Sequence, residues 1–270
     1  MDWPKFFLGI GLAVVIVFSA GMVFTHGKAG FSTAKDRETL HQVSTIDALM
    51  QGVYDGIQPV GELKQHGDFG IGTFDALDGE MIVLDDIVYQ AKADGHVYQA
   101  PDNLTTPFAT VTTFDPDLTE TTGEPMNYSL FSSEMAGRLP SQNIIYAVRM
   151  HGTFPFMKTR AIPAQQKPYP NLTVASQNQS VFVFSNTTGT VVGLYMPVFF
   201  DGLNVPGYHL HFISDDREIG GHILDFVVPE GMTVEYDITP EFDMVLPTSG
   251  DFTGVDLSQN MSSELEKVEK

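Results

Sequence analysis

The sequence predicts an α+β protein built mostly of antiparallel β-sheet, with about ten strands and two or three helices. Three observations carry this. Short runs rich in Val, Ile, Thr, Tyr and Phe recur from Gly67 to Leu246, separated by turn residues. Two of the separators, Asp78-Gly79 and Asp94-Gly95, are hairpin signals. Helical periodicity is confined to a few segments, and no fixed-period repeat is present.

Taken in order, residues 1–29 read as a signal peptide or a membrane anchor. Phe6 to Phe24 is uncharged and almost wholly apolar, just inside the transmembrane range, and small residues at Gly27 and Ala29 follow. Residues 30–43 read as a linker. Ser44 opens a helix, with Ser44 and Asp47 at capping-box spacing and Ile46, Leu49, Met50 and Val53 on one face. Gly56 and Pro59 end it. Residues 70–77 and 80–89 are strands around Asp78-Gly79, and Asp94-Gly95 turns the chain into residues 96–100. Residues 110–114 are another strand. Residues 127–139 are helical and stop at Pro140.

Residues 144–150 and 154–162 read as strands around Gly152, and residues 163–170 as a loop. Residues 181–184 and 190–196 are strands around a turn at 186–189. Residues 208–213 and 222–228 flank a polar loop, and residues 233–238 and 242–246 follow. The catalytic domain is thus 44–257, and residues 258–270 form a polar, charged tail. A division into two sheet-based halves meeting near 163–178 fits the same pattern.

Composition narrows the function. The 270 residues carry a formal net charge of −20, which disfavours nucleic acid and anionic membrane as partners. There are no cysteines, so disulfides, thiolate metal sites and cysteine nucleophiles are excluded. Any metal must sit on His, Asp or Glu.

The most informative segment is Tyr208-His209-Leu210-His211-Phe212, followed by Gly220-Gly221-His222. Strand side chains alternate, so His209 and His211 share one face. If Asp216 and Arg217 sit at the centre of the connection, His211 lies opposite His222, with Cβ atoms about 5 Å apart. Three neutral imidazoles would then converge on one ion. Zinc leads among the borderline divalent ions, and three protein ligands leave positions open for substrate. The other histidines, His26, His41, His66, His96 and His151, receive no role.

At this point the chain resembles the acetolactate decarboxylase family. The resemblance rests on Ser44-Thr45-Ile46-Asp47-Ala48-Leu49, Gly52-Val53-Tyr54-Asp55-Gly56, Gly72-Thr73-Phe74 and Leu77-Asp78-Gly79-Glu80. It continues through Thr159-Arg160, Gln166-Lys167-Pro168-Tyr169, residues 207–213 and Gly220-Gly221-His222. It runs in order from Ser44 to the C-terminus. It implies zinc on His209, His211 and His222, a catalytic arginine at Arg160 and a glutamate at Glu80. It also implies a glutamate from the tail, Glu269 by best fit and Glu266 as the alternative. A sheet-based, often dimeric protein is implied too.

The implied reaction is decarboxylation of 2-acetolactate to acetoin and carbon dioxide, in the acetoin and butanediol pathway. Loss of carbon dioxide sends electrons onto the ketone oxygen, where a Lewis acid stabilises them. A carboxylic acid of raised pKa then protonates one face of the carbon. Glu80 and Glu269 are the candidates for donor and hydroxyl partner, and Arg160 suits the substrate's carboxylate. Two other readings use the same histidines: another metal-dependent lyase or hydrolase on this scaffold, and an exported metal-binding module without activity. The N-terminal segment predicts an extracytoplasmic location, secreted or membrane-anchored through residues 6–24.

Overall fold

A computed structural model describes Met1 and residues 36–269. The expected signal or anchor, including residues 6–24, lies outside the described residues. Among the described residues, no helix is long and apolar enough to cross a membrane.

The first strand, β1 (Thr39–Val43), is already in a sheet, so the end of the expected linker belongs to the folded unit. Helix α1 (Ile46–Met50) is capped by Thr45, whose hydroxyl accepts from the Ala48 N–H at 3.2 Å, rather than by Ser44. It is a single turn and a half, stopping well before Gly56, because Gly52 turns the chain at φ +85°. Next come β2 (Gln58–Pro59), α2 (Val60–Leu63) and β3 (Phe69–Thr73).

The run expected as one strand over 80–89 is two, β4 (Glu80–Leu84) and β5 (Ile87–Ala91). Asp85 and Asp86 both take positive φ, 54° and 64°, which makes the two-residue turn. Strands β6 (Val97–Gln99), β7 (Thr105–Thr106), β8 (Ala109–Thr112), β9 (Leu118–Thr121) and β10 (Met126–Asn127) follow. The helix expected over 127–139 is α3 (Tyr128–Arg138), capped by Asn127.

The next two expected strand pairs are each one long strand, β11 (Tyr146–Ala161) and β12 (Ser180–Met196). Gly152 faces Gly189 within the ladder rather than breaking it. The irregularity falls instead between Phe154 and Phe156, where Pro155 has no N–H to give and Asn186 opposite takes φ +50°. The loop between them holds α4 (Leu172–Ala175). The chain ends with β13 (Gly207–Ser214), β14 (Gly220–Val228), β15 (Thr233–Ile238), β16 (Glu241–Val245) and α5 (Ser262–Glu269). Among the described residues, sixteen strands and five α-helices keep the predicted class, and every ladder but β1–β16 is antiparallel.

Two seven-stranded sheets result, β16-β1-β8-β3-β4-β5-β6 and β10-β14-β13-β12-β11-β15-β9. They do not divide the chain near 163–178, since β9 and β10 enter the second sheet and β16 returns to the first. In the second sheet β14 also pairs with β11, so β11, β12, β13 and β14 close on themselves. Leu40, Ile71 and Ile82 of the first sheet pack on Val192, Leu194 and Ile213 of the second. The second sheet's other face, through Tyr208, Leu210 and Phe212, packs under Phe131 and Met135 of α3. Alternation along β13 therefore aims His209 and His211 between the sheets.

Asp237, 2% exposed on β15, is a testable point of the packing. It accepts the Asp115 N–H at 3.2 Å, and burial, with Asp117, Asp115 and Glu38 nearby, pushes its carboxyl up to about 7. The folded protein thus keeps a proton that the unfolded chain loses near its ordinary 3.8. Stability from this group falls as pH rises between those values and is flat above them. Asp237→Asn should therefore raise the thermal midpoint at pH 8 and leave it nearly unchanged at pH 4. Melts of both proteins at the two pH values check this.

Candidate active site

Two strands, β13 and β14, bring the histidines together, and β11 adds Arg160. His211 pairs directly with His222 across β13 and β14, and His222 pairs with Arg160 on β11, so one cross-strand row carries His211, His222 and Arg160. His209 lies two residues along β13 on the same face. The imidazole centroids are 5.2 Å (His209–His211), 5.0 Å (His209–His222) and 5.3 Å (His211–His222) apart. Gly221 makes the register achievable: at φ +137°, a Cβ there would lie 2.5 Å from the Arg160 carbonyl oxygen.

All three rings are buried, and burial, with Arg160 and one another, holds them below their ordinary pKa. For His209 the value falls to about 3. They are neutral imidazoles with lone pairs to offer. His211 Nδ1 donates to the Met81 carbonyl at 2.8 Å, which fixes the tautomer and leaves Nε2 free to ligate. His211 Nε2, His209 Nδ1 and His222 Nε2 are buried with no hydrogen-bond partner. One nitrogen from each ring lies within 4.8 Å of the others. Unpartnered buried nitrogens are costly, and a divalent cation fits a donor set of three imidazoles.

The structure also brings Arg160, Glu80 and Glu269 to this point. Arg160 Nη1 is 3.4 Å from Glu80 Oε1, and Nη2 is 3.7 Å from Glu269 Oε1. Glu269 Oε2 is 3.5 Å from His209 Nε2 and 3.6 Å from His222 Nε2, and Glu80 Oε2 is 3.8 Å from His211 Nε2. Burial pushes each carboxyl up to about 7, against the pull of Arg160. Glu80 reaches the site from the first residue of β4, in the first sheet. Sheet packing, not local sequence, makes it a neighbour of the histidines.

Glu269 comes from α5, which the sequence reading treats as a tail. Leu265 and Val268 are buried among Ile46, Leu49, Met50 and Leu172, and Glu269 follows on the same side. The i, i+3, i+4 spacing of Leu265, Val268 and Glu269 is the signal that could have found this helix. Ser262 Oγ donates to Asp201 at 2.6 Å and anchors its start. Glu266 lines a different space, an outer cavity of about 650 Å³ beside Tyr128, Val205 and Tyr208. An inner cavity of about 30 Å³ is lined by Glu80, Arg160, His209, His211 and Glu269 with Leu49, Thr73 and Phe108. Glu269 lines both.

Of the histidines without a role, His26 lies outside the described residues. His151 meets Asp215 at the surface, at 3.1 Å. His41 is not ahead of the domain but in β1, buried.

The model of the alpha-acetolactate decarboxylase family matches residues 40–259, ending before α5. An alpha-acetolactate decarboxylase of Methanosarcina mazei is 52% identical over 86% of this chain and 81% of its own length. One from Bacillus subtilis is 38% identical over 85% of this chain and 90% of its own. A crystal structure of the enzyme from B. subtilis strain 168 superposes with a TM-score of 0.82, covering 86% of this chain and 99% of that one. With a family match that runs over residues 40–259 and a relative 52% identical over most of both chains, the chain belongs to the alpha-acetolactate decarboxylase family and is a carboxy-lyase.

Proposed function

We propose that this protein converts 2-acetolactate to acetoin and carbon dioxide, using zinc held by His209, His211 and His222. The observation that carries the reading is three buried imidazoles with one nitrogen of each within 4.8 Å of the others, and Arg160 and two carboxyls beside them. Zinc is assigned from the donor set, three borderline nitrogens without thiolate. When bound, it supplies Lewis acidity toward the substrate's oxygens.

The chain's own residues do the rest. Arg160 binds the substrate's oxygens through its guanidinium fork, steered toward the centre by Glu80 and Glu269. Leu49 and Phe108 exclude water from the inner cavity. Loss of carbon dioxide leaves an electron pair on the former carboxyl-bearing carbon. A carboxylic acid delivers one proton to it, giving acetoin. Glu80 approaches from β4 of the first sheet and Glu269 from the end of α5, so one donates while the other holds the hydroxyl. Single-face delivery makes one acetoin enantiomer.

The purified protein should release acetoin and carbon dioxide from racemic 2-acetolactate, stop after chelation, and recover with added zinc. A metal-loaded protein that yields no acetoin would contradict the reaction. Full turnover by metal-free protein would contradict the zinc. The same proposal includes assembly as a homodimer, and residues 1–29 as a signal or anchor that places the catalytic domain outside the cytoplasm. The uncharged apolar run at 6–24 supports the latter.

A further inference from the structure

Glu80 owes its place to a turn that its local sequence does not favour. Ala76 and Leu77 both take left-handed backbone, φ 58° and 59°, which non-glycine residues seldom adopt. Gly79 follows at φ +82°, where a Cβ would lie 2.4 Å from the Ala91 carbonyl oxygen. Such a conformation persists only where the surroundings hold it. Part of the hold is backbone: the Gly79 N–H donates to the Ile162 carbonyl at 3.0 Å, and the Gln165 N–H to the Ala76 carbonyl at 2.7 Å. Ile162 and Gln165 lie just past the end of β11, so the turn is tied to the strand that carries Arg160.

The rest of the hold comes from side chains. Strand β4 lies between β3 and β5, and each neighbour sends one buried donor to the carbonyls that precede Glu80. Thr73, the ladder partner of Glu80 on β3, donates its hydroxyl to the Gly79 carbonyl at 2.7 Å. Gln90 on β5 donates through Nε2 to the Asp78 carbonyl at 2.6 Å and to Asp78 Oδ2 at 3.1 Å. Lys92 Nζ also donates to Asp78 Oδ2, at 2.7 Å. Thr73 and Gln90 are 3% and 7% exposed. Thr73 lines the inner cavity, whereas Gln90 lines neither cavity. Two consecutive peptide planes, 78–79 and 79–80, are thus fixed immediately before Glu80.

We propose that Gln90 is a positioning residue for Glu80, acting with Thr73 through these two peptide planes. The inference rests on the reaction proposed above. The Glu80 carboxyl stands 3.4 Å from Arg160 Nη1 and 3.8 Å from His211 Nε2, so a tilt of the preceding peptide swings it across the inner cavity. Whether Glu80 gives the proton or holds the hydroxyl, delivery to a single face depends on where that carboxyl sits. A misplacement of about 1 Å in such a site costs about 10²-fold in rate.

Gln90→Met in the full-length protein provides the test, because it keeps the length of the side chain and removes its donors. The variant should keep its bound metal, lose about 10–10²-fold in kcat with KM within about twofold, and give acetoin of lower enantiomeric purity. Its crystal structure should show the Glu80 carboxyl withdrawn from Arg160 by about an ångström. Leu84→Ala, at the other end of β4 and equally buried, should lower the thermal midpoint and leave kcat and the enantiomer ratio at wild-type values. An unmoved Glu80 carboxyl in Gln90→Met, or wild-type kcat and purity in that variant, would overturn the proposal. The same loss of purity in Leu84→Ala would overturn it as well, since general loosening would then suffice. The crystal structure needs no substrate, so a wild type that made no acetoin would count against the reaction while the place of Glu80 is still read directly.

Discussion

Arg160→Ala is expected to keep its bound metal and lose nearly all turnover. The guanidinium is 4% exposed and stands between two buried carboxyls, but no metal-ligand atom belongs to it. Its loss removes the one buried cationic side chain that can meet a substrate carboxylate in the inner cavity. Both carboxyls, now without their cationic neighbour, shift further toward the protonated form, since Arg160 is what holds each of them down. Removing one well-placed donor from such a site costs about 10²–10³ in kcat. Arg160→Lys should recover little, because an ammonium cannot fork to Glu80 and Glu269 as the guanidinium does. Metal analysis and steady-state kinetics on the same preparations separate the two effects. Wild-type turnover in Arg160→Ala would remove Arg160 from the site.

Ending the chain after Ser263 should give a folded, metal-loaded and inactive protein. The truncation removes Leu265, Val268 and Glu269. The two apolar side chains cover Ile46, Leu49 and Leu172, and burying each contributes about 1.5–3 kcal/mol. The thermal midpoint should fall but the sheets should survive, because no strand touches its pairing partner through α5. The histidines sit on β13 and β14, so the metal stays. Turnover should fall by about 10²–10⁴, the range for a lost general acid or its partner. Glu269→Gln separates the causes: it keeps the helix and the midpoint and shows the same loss. Full activity in either protein would take Glu269 out of the mechanism.

The parts of this site that were legible in the sequence are those set by local geometry. Alternation along one strand and the register of one hairpin are enough to bring His209, His211 and His222 together, and the observed pairing of His211 with His222 is the expected one. Arg160 and Glu80 are different. Arg160 joins the histidine row only because β14 also pairs with β11, and Glu80 arrives from the other sheet. Spacing carries neither fact, so only the family resemblance pointed to them. Glu269 was obscured because a two-turn helix in a charged terminus has little propensity of its own; Leu265 and Val268 dock it against the core.

The same distinction governs the fold. The helix at 128–138 was legible as a helical run over 127–139 that stops at Pro140. The long ladder of β11 and β12 was not, because its exposed middle, with Gly152, Pro155 and Asn186, has the composition of turns. Pairing across the ladder overrides that local preference. Strand β1 was hidden for a similar reason: its partners, β8 and β16, are far along the chain.

A crystal structure with diffraction measured on both sides of the zinc absorption edge tests the central claim most directly. The anomalous difference map should show a peak enclosed by His209, His211 and His222, about 2.0–2.1 Å from one nitrogen of each. A zinc-loaded, catalytically active crystal with no peak among those three rings would contradict the account.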